Sequence, residues 1–239
     1  DVYISMGQTA ENVASHASIG RREMDEYACE SQRRARVAAE RGFWKDDITP
    51  LTRADGAVVD ADESPRPATT LEGLAGLDPV FRESGSVTAG NSCPLNDGAA
   101  AVVVMSAERA EQLGLTPLAR IVSTAVSALS PEIMGLGPVE ATKRALQRAG
   151  LGIGDIDQVE LNEAFASQVI ASARALGIDH ERLNVNGGAI ALGHPFGATG
   201  ARIASTLIHS LRERDQELGL VTMCVAGGQG AAMVLQRLS

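Results

Sequence analysis

Asn184-Val185-Asn186-Gly187-Gly188-Ala189-Ile190-Ala191-Leu192-Gly193-His194-Pro195-Phe196-Gly197-Ala198-Thr199-Gly200 sets five glycines around one histidine. Pro195 biases His194 away from helical backbone angles. Gly193 and Gly197 let the backbone pass close to a ligand. Residues 184 to 191 read as extended or looped, and a helix opens at Gly197. Outward from this loop the pattern alternates. Upstream, Val159-Glu160-Leu161 reads as a short strand, and Ala164 to Leu176 as a helix closed by Gly177. Downstream, Gly197 to Arg214 reads as a helix with Ile203, Leu207 and Leu211 four apart on one face. Leu220 to Val225 and Ala231 to Leu235 read as two apolar strands joined through Gly227-Gly228-Gln229-Gly230. Strands alternating with helices predict an α/β fold, with helices layered against a central sheet.

Further upstream, residues 118 to 127 read as a strand, and Pro138 to Ala149 as a helix with Pro in its first turn and Gly150 after its end. Asn96-Asp97-Gly98 signals a turn, and Ala99 to Met105 is a small apolar run that fits a strand buried on both faces. Ser106 starts a short helix that closes near Gly114. The segment to about residue 95 is polar and rich in turns. Within it, residues 21 to 41 form an amphipathic helix pattern through Met24, Tyr27, Ala28, Ser31, Ala35 and Ala38, ended by Gly42. Residues 53 to 70, with Pro65 and Pro67, read as loop.

The composition excludes several classes. The chain has 239 residues, enough for one large domain or two small ones, and is 44% hydrophobic and 21% charged, a balance that buries a core. Its 21 basic residues against 30 acidic ones leave a net charge of −9, with no basic stripe, which argues against nucleic acid. No apolar run suits a membrane span. No signal peptide follows Asp1, and Cys29, Cys93 and Cys224 lack CxxC spacing. A disulfide scaffold or zinc site is therefore not expected, and a cytoplasmic location is. Asp62-Glu63 reads as a solvated loop face rather than a metal site.

Three polar groups follow apolar strands or sit in glycine turns, where open α/β sheets place their sites. The first is Asn162-Glu163-Ala164-Phe165-Ala166; its Asn162 and Glu163 also read as a helix cap and a first-turn carboxylate. The second is His194, alternatively a structural histidine at an anion-friendly helix start. The third is Cys224, at the entry to the glycine turn, alternatively a buried small hydrophobe. Together a thiol, an imidazole and a carboxamide suit chemistry α to a thioester. A base must take the α-proton, and donors must hold the enolate oxygen. A thiolate can be that base, an imidazole N–H can donate to the oxygen, and an Asn amide can fix a water or the ring.

At these residues the sequence resembles the thiolase family of acetyl-CoA acetyltransferases and 3-ketoacyl-CoA thiolases. The resemblance rests on Asn-Glu-Ala-Phe-Ala at 162, Asn-Val-Asn-Gly-Gly-Ala-Ile-Ala-Leu-Gly-His-Pro at 184 and Cys-Val-Ala-Gly-Gly-Gln-Gly at 224. Met-Gly-Gln-Thr-Ala-Glu-Asn at 6 and Leu-Asn-Asp-Gly-Ala-Ala-Ala at 95 add to it. It implies a thiolase-like layered fold: a C-terminal domain over 118–239 with a mixed sheet flanked by helices, a last strand and helix of the N-terminal domain over 96–117, and a loop region over 1–95. It implies that Cys224 is the acid/base thiol, that His194 activates the nucleophile and joins an oxyanion hole, and that Asn162 stands behind that hole. It places Arg66 on the adenine end of CoA. Met6, Phe81, Met134, Ala164 and Phe165 would line the acyl and pantetheine tunnel. Ala89, Cys93, Ala226 and Gly227 join the substrate contacts.

The pattern departs from relatives at three places. Ala226 stands where many have Gly, which would add strain if φ there were positive. Cys93-Pro94 replaces Ser-Gly, and Ser5 replaces a His of short-chain members. Thiolases also use a second, covalent cysteine on an N-terminal half, and neither Cys29 nor Cys93 fits that role. The resemblance thus implies an acyl-CoA acyltransferase with CoA as substrate and no bound cofactor, inactive without that half, in a homodimer or homotetramer. A non-catalytic thiolase-like subunit that binds CoA esters or a partner chain is the alternative, and a ketoacyl synthase of the same superfamily is a weaker one.

Overall fold

The computed structural model describes residues 1–239. Its centre is a four-stranded sheet in the order β3 (Ala119–Ala128), β6 (Gln229–Arg237), β5 (Leu218–Val225), β4 (Gln158–Leu161). The β3–β6 and β6–β5 pairs are antiparallel, and β5–β4 is parallel. The sheet is therefore mixed, and the two parallel strands end on the same side.

Alternation along the strands decides what covers each face. Leu220, Ala232 and Val234 pack with Val159 and Leu161 against Ala141, Ala145 and Leu146 of α5 (Gly137–Ala149), and against α6 (Ala166–Leu176). The intervening Val221 and Leu235 meet Ile203, Leu207 and Leu211 of α8 (Thr199–Glu213) on the other face. Leu207 fits because Gly219 beneath it has no side chain.

A second layer lies beyond α6, which is buried along nearly its whole length. α1 (Met6–His16) and α2 (Arg21–Glu40) close over it through Val13, Ala14, Met24 and Ala28, which meet Ala166, Ile170 and Ile190. α2 matches the amphipathic spacing. α1 lies in a stretch that the sequence reads as polar and rich in turns. Residues 53–70 are loop apart from β2 (Val58–Val59), which pairs with β1 (Leu51–Thr52) in a hairpin. α3 (Leu71–Ala75) follows it, capped by the Thr70 hydroxyl. The short helix expected after Ser106 is α4 (Ala107–Gln112). No helix is long and apolar enough to cross a membrane.

Two expectations need correction. Ala99 to Met105 is not a buried strand: it pairs with nothing, and all seven residues are exposed, Val103 at 84%. A central strand needs neighbours on both edges, and these 239 residues offer it none. Residues 184–191 are not wholly extended either, because α7 (Ala189–Leu192) makes one helical turn there.

Leu207→Ala is expected to lower urea-unfolding stability by about 2–5 kcal/mol through the cavity it leaves. Val103→Ser is expected to stay within about 0.5 kcal/mol, as an exposed position should. A large loss at Val103 would show that the 99–105 run is packed in solution.

Candidate active site

β4 and β5 run parallel toward the same edge of the sheet, β5 continuing past the end of β4 to Val225, and the two polar residues expected near their ends are there. Asn162 follows β4 directly, its N–H bonded to the Thr222 carbonyl at 3.0 Å. Cys224 lies two residues further along β5, buried. Asn162 does not cap a helix, since α6 opens only at Ala166 with Phe165 before it. Its side chain turns to His194 instead, with Nδ2 3.3 Å from Nε2. Asn162 Oδ1 is buried and unpartnered.

The His194 ring is fixed from its other side. Nδ1 lies 2.7 Å from Thr199 Oγ1, and that hydroxyl donates to the Pro195 carbonyl at 2.9 Å. A hydroxyl has one proton, so Nδ1 is the donor in this pair and Nε2 carries the lone pair. The donor chain runs from Asn162 to His194 to Thr199 to Pro195. The neutral ring therefore presents a proton acceptor to Asn162, and becomes a donor at Nε2 only after gaining a proton. Its backbone N–H is held by Asn96 Oδ1 at 3.3 Å, and Phe196 meets the ring edge-on, 4.9 Å between centroids. Burial, helped by the Arg202 charge, lowers the imidazole to about 4, so it is neutral at physiological pH.

Cys224 packs with Met134 and Ala164, and Met6 and Phe165 close over them. Phe81 meets Phe165 edge-on at 6.2 Å, and its ring lies against Gly7, where a side chain would collide with it. The Cys93 N–H bonds the Ala164 carbonyl at 3.1 Å, bringing that loop to the same cluster. Arg66 and Ala89 are outside it: both are exposed, and Arg66 is held through its N–H by Gln32 of α2 at 2.8 Å. Burial pushes the Cys224 and Cys93 thiols up to about 12. Both are neutral at rest.

The turn after Cys224 removes the concern over Ala226. The positive φ values fall on Gly227 (83°) and Gly228 (85°), not on Ala226, so Ala is tolerated there without left-handed strain. Leu129 N–H bonds the Gly228 carbonyl at 2.8 Å, and Gln229 Nε2 bonds the Ala226 carbonyl at 3.0 Å. The N–H groups of 226, 227 and 228 meet no acceptor within the chain. They form a row of free donors beside the thiol.

Sequence reasoning missed what holds this frame. Glu163, expected near a helix start, is fully buried. It accepts from Tyr27 (2.8 Å), Ser31 (2.7 Å), Asn184 (3.0 Å) and the Ile190 N–H (3.0 Å). Burial and the adjacent Glu163 raise Tyr27 well above its ordinary range, keeping it a donor. Asn184, at φ 46°, extends the sheet with its side chain, accepting from Leu161 N–H and donating to Leu161 C=O, each at 2.9 Å.

The chain matches the model of the thiolase C-terminal domain over residues 115–237 and that of the thiolase N-terminal domain over residues 2–108. It is 53% identical over 237 residues to an acetyl-CoA acetyltransferase of Escherichia coli, covering 98% of this chain and 60% of that protein. The crystal structure of the Bacillus anthracis acetyl-CoA acetyltransferase superposes with a TM-score of 0.96 at 47% identity, over 98% of this chain and 60% of the other. That of human mitochondrial 3-ketoacyl-CoA thiolase in complex with CoA gives 0.93 at 42%, over 99% and 60%. The chain thus spans about 60% of the length of the relatives it matches. With two family domains covering nearly all of its residues, the chain belongs to the thiolase family.

Proposed function

We propose that this chain carries the proton-transfer side of a thiolase active site, joining acyl-CoA esters by Claisen condensation or cleaving 3-ketoacyl-CoA with CoA thiol. The observation that carries this reading is the Asn162–His194 pair at 3.3 Å, just past the end of β4, with Cys224 near the end of the parallel neighbour β5. Cys224 is the base toward the carbon α to the thioester, and the acid in reverse. Burial disfavours its thiolate at rest, and the same burial makes that thiolate a stronger base once formed. His194 takes a proton at Nε2 from the attacking thiol, and the resulting Nε2–H then hydrogen-bonds the developing oxyanion. Asn162 fixes the ring. The free N–H groups of 226–228 supply a second set of oxyanion donors. Met6, Phe81, Met134, Ala164, Phe165 and Cys93 enclose the acyl and pantetheine portions, with Arg66 and Ala89 further out.

Residues 118–239 act as the C-terminal domain in this reading, 96–117 as the last strand and helix of the N-terminal domain, and 1–95 as its loop region. The covalent nucleophile comes from outside these residues. Cys29 is on α2, and Cys93 sits beside Cys224 where it contacts substrate. CoA is a substrate rather than a resident cofactor. The working assembly is a homodimer or homotetramer in the cytoplasm. The 99–105 run supports the need for further chain, since it is apolar, exposed throughout and paired with no strand. A non-catalytic CoA-ester-binding subunit has less support, because it gives no reason for an Asn–His–Thr donor chain.

The 239 residues alone are expected not to cleave acetoacetyl-CoA with CoA. Supplying the portion of the Escherichia coli relative outside the matched region should restore turnover, and Cys224→Ala should reduce it by about 10²–10⁴-fold. Turnover by the chain alone, or an undiminished rate after Cys224→Ala, would contradict the assignment.

Thiol chemistry checks the resting state separately. At pH 8, iodoacetamide should label Cys224 in the folded chain more than about 100-fold slower than in the urea-denatured chain, read by mass spectrometry. The sign follows from a folded pKa raised to about 12 against an unfolded thiol near 8.5. The neutral form favours the fold, and that contribution is lost as pH rises through this window. Equal labelling rates would place Cys224 in an open, ionisable setting.

A further inference from the structure

The Asn96-Asp97-Gly98 turn, which the sequence marks only as a change of direction, lies directly over Gly193-His194-Pro195. A β-carbon on Gly193 would stand 2.3 Å from Asn96 Oδ1 and 2.6 Å from its Cγ. One on Gly98 would stand 2.8 Å from Pro195 Cγ. Glycine at both positions admits this approach, and Gly193 also holds a φ of 97°. In that space Asn96 Oδ1 accepts the His194 N–H at 3.3 Å. The Gly193 N–H is spent on the Ala189 carbonyl at 2.8 Å, and Pro195 has none to give. Asn96 therefore takes the one backbone donor that the His194-Pro195 step offers.

The other end of the same amide reaches the loop between β2 and α3. Asn96 Nδ2 donates to Ser64 Oγ at 2.7 Å. Because the His194 N–H needs an acceptor, Oδ1 faces it, and the amino group is left for Ser64. Two residues on, the Arg66 N–H bonds Gln32 Oε1 at 2.8 Å, and Gln32 Nε2 donates to the Ile190 carbonyl at 3.4 Å. The 64–66 loop thus meets the histidine loop at two points, one in α7 and one at His194 itself. The ring has its own bonds, to Asn162 at 3.3 Å and Thr199 at 2.7 Å. Those bonds set how the ring is turned. The Asn96 bond is the one that holds the backbone from which the ring hangs.

We propose that Asn96 is a positioning residue for His194: its planar amide fixes the backbone of residue 194 against Ser64 and so sets where the ring stands. The inference takes its purpose from the acyl-transfer reading, in which a displacement of about 1 Å at a reacting group is costly to the rate. Asn96 touches no reacting atom in this scheme and acts only through His194. The bridge also gives the loop that carries Arg66 a hold on the ring. Contacts made by the outer part of a substrate thereby contribute to orientation at the reacting centre.

NMR of the 239-residue chain reads both the backbone and the ring, with the His194 signals assigned by their loss in His194→Asn. The unmodified chain should show one neutral tautomer, protonated at Nδ1. Asn96→Leu keeps the volume and removes both hydrogen bonds. It should speed exchange of the His194 N–H by about 5–10-fold, and draw the two ring ¹⁵N signals together as the second tautomer becomes populated. Asn96→Asp should keep both readings, because a carboxylate accepts the same N–H and the Ser64 hydroxyl turns to donate. Ser64→Ala should speed the exchange by about twofold or more. Asn96→Ala serves in place of Asn96→Leu should that variant not fold. Unchanged exchange and ring signals in Asn96→Leu, or an equal change in Asn96→Asp, would overturn the proposal. Unchanged exchange in Ser64→Ala would overturn it too, by freeing the amide from the loop, and so would an even rise in exchange through the β3–β6 ladder, which marks general loss of stability. In the chain supplied with the portion of the Escherichia coli relative outside the matched region, Asn96→Leu should lower kcat about 10-fold and change KM for acetoacetyl-CoA less than about threefold. A change in KM alone would overturn the positioning role. No turnover in the unmodified assembly would remove the acyl-transfer reading and leave the NMR result standing.

Discussion

A carboxylate without a cation holds this architecture together. Glu163 is fully buried and satisfied only by neutral donors: a phenol and a hydroxyl from α2, the Asn184 amide and the Ile190 N–H. An ion placed in such surroundings is tolerated only when its lone pairs are filled. Each donor is therefore fixed in place by the others' presence. Gly188 lies against the carboxylate, where any side chain would collide with it. The result binds three distant stretches, at residues 27–31, 162–163 and 184–190. Those stretches carry the Asn162 amide and the loop that ends in His194.

From that anchor the chemistry follows by geometry. Parallel strands end side by side, so Asn162 and Cys224 emerge at the same edge of the sheet. The loop released from α7 returns His194 to Asn162, and α8 supplies Thr199 to hold the ring from behind. The surroundings are dry, which sets resting protonation states: a neutral thiol and a neutral imidazole. Proton transfer between such groups creates charge in a place that disfavours it. In the proposed reaction, preorganised donors, the free N–H groups of the glycine turn among them, would make the transient charge acceptable.

Much of this was legible in the residues. The spacing of Met24, Ala28, Ala35 and Ala38 fixed α2, and the apolar run to Cys224 with its glycine pair located the turn after β5. The five glycines around His194 marked a loop with a purpose. Other parts were not legible, for physical reasons. α1 is hidden in a stretch that reads as polar and rich in turns because two of its buried positions, Thr9 and Glu11, are polar: Glu11 accepts from the Ser86 and Val87 N–H groups. The Ala99–Met105 run has the composition of a central strand, but composition cannot say whether neighbouring strands exist. Glu163 has the look of a helix-start carboxylate, and its partners lie 132 and 136 residues away on α2. Nothing local records such a partnership.

Native-state hydrogen exchange in Glu163→Gln tests the central claim most directly. A glutamine keeps the size and places an NH₂ where an acceptor was, so at least one of the four donors loses its partner. The account predicts that the backbone N–H groups of Leu161 and Ile190 lose protection first, while the β3–β6 ladder retains its own. Protection unchanged at Leu161 and Ile190, or reduced evenly across the whole sheet, would contradict the idea that this one buried carboxylate organises the site.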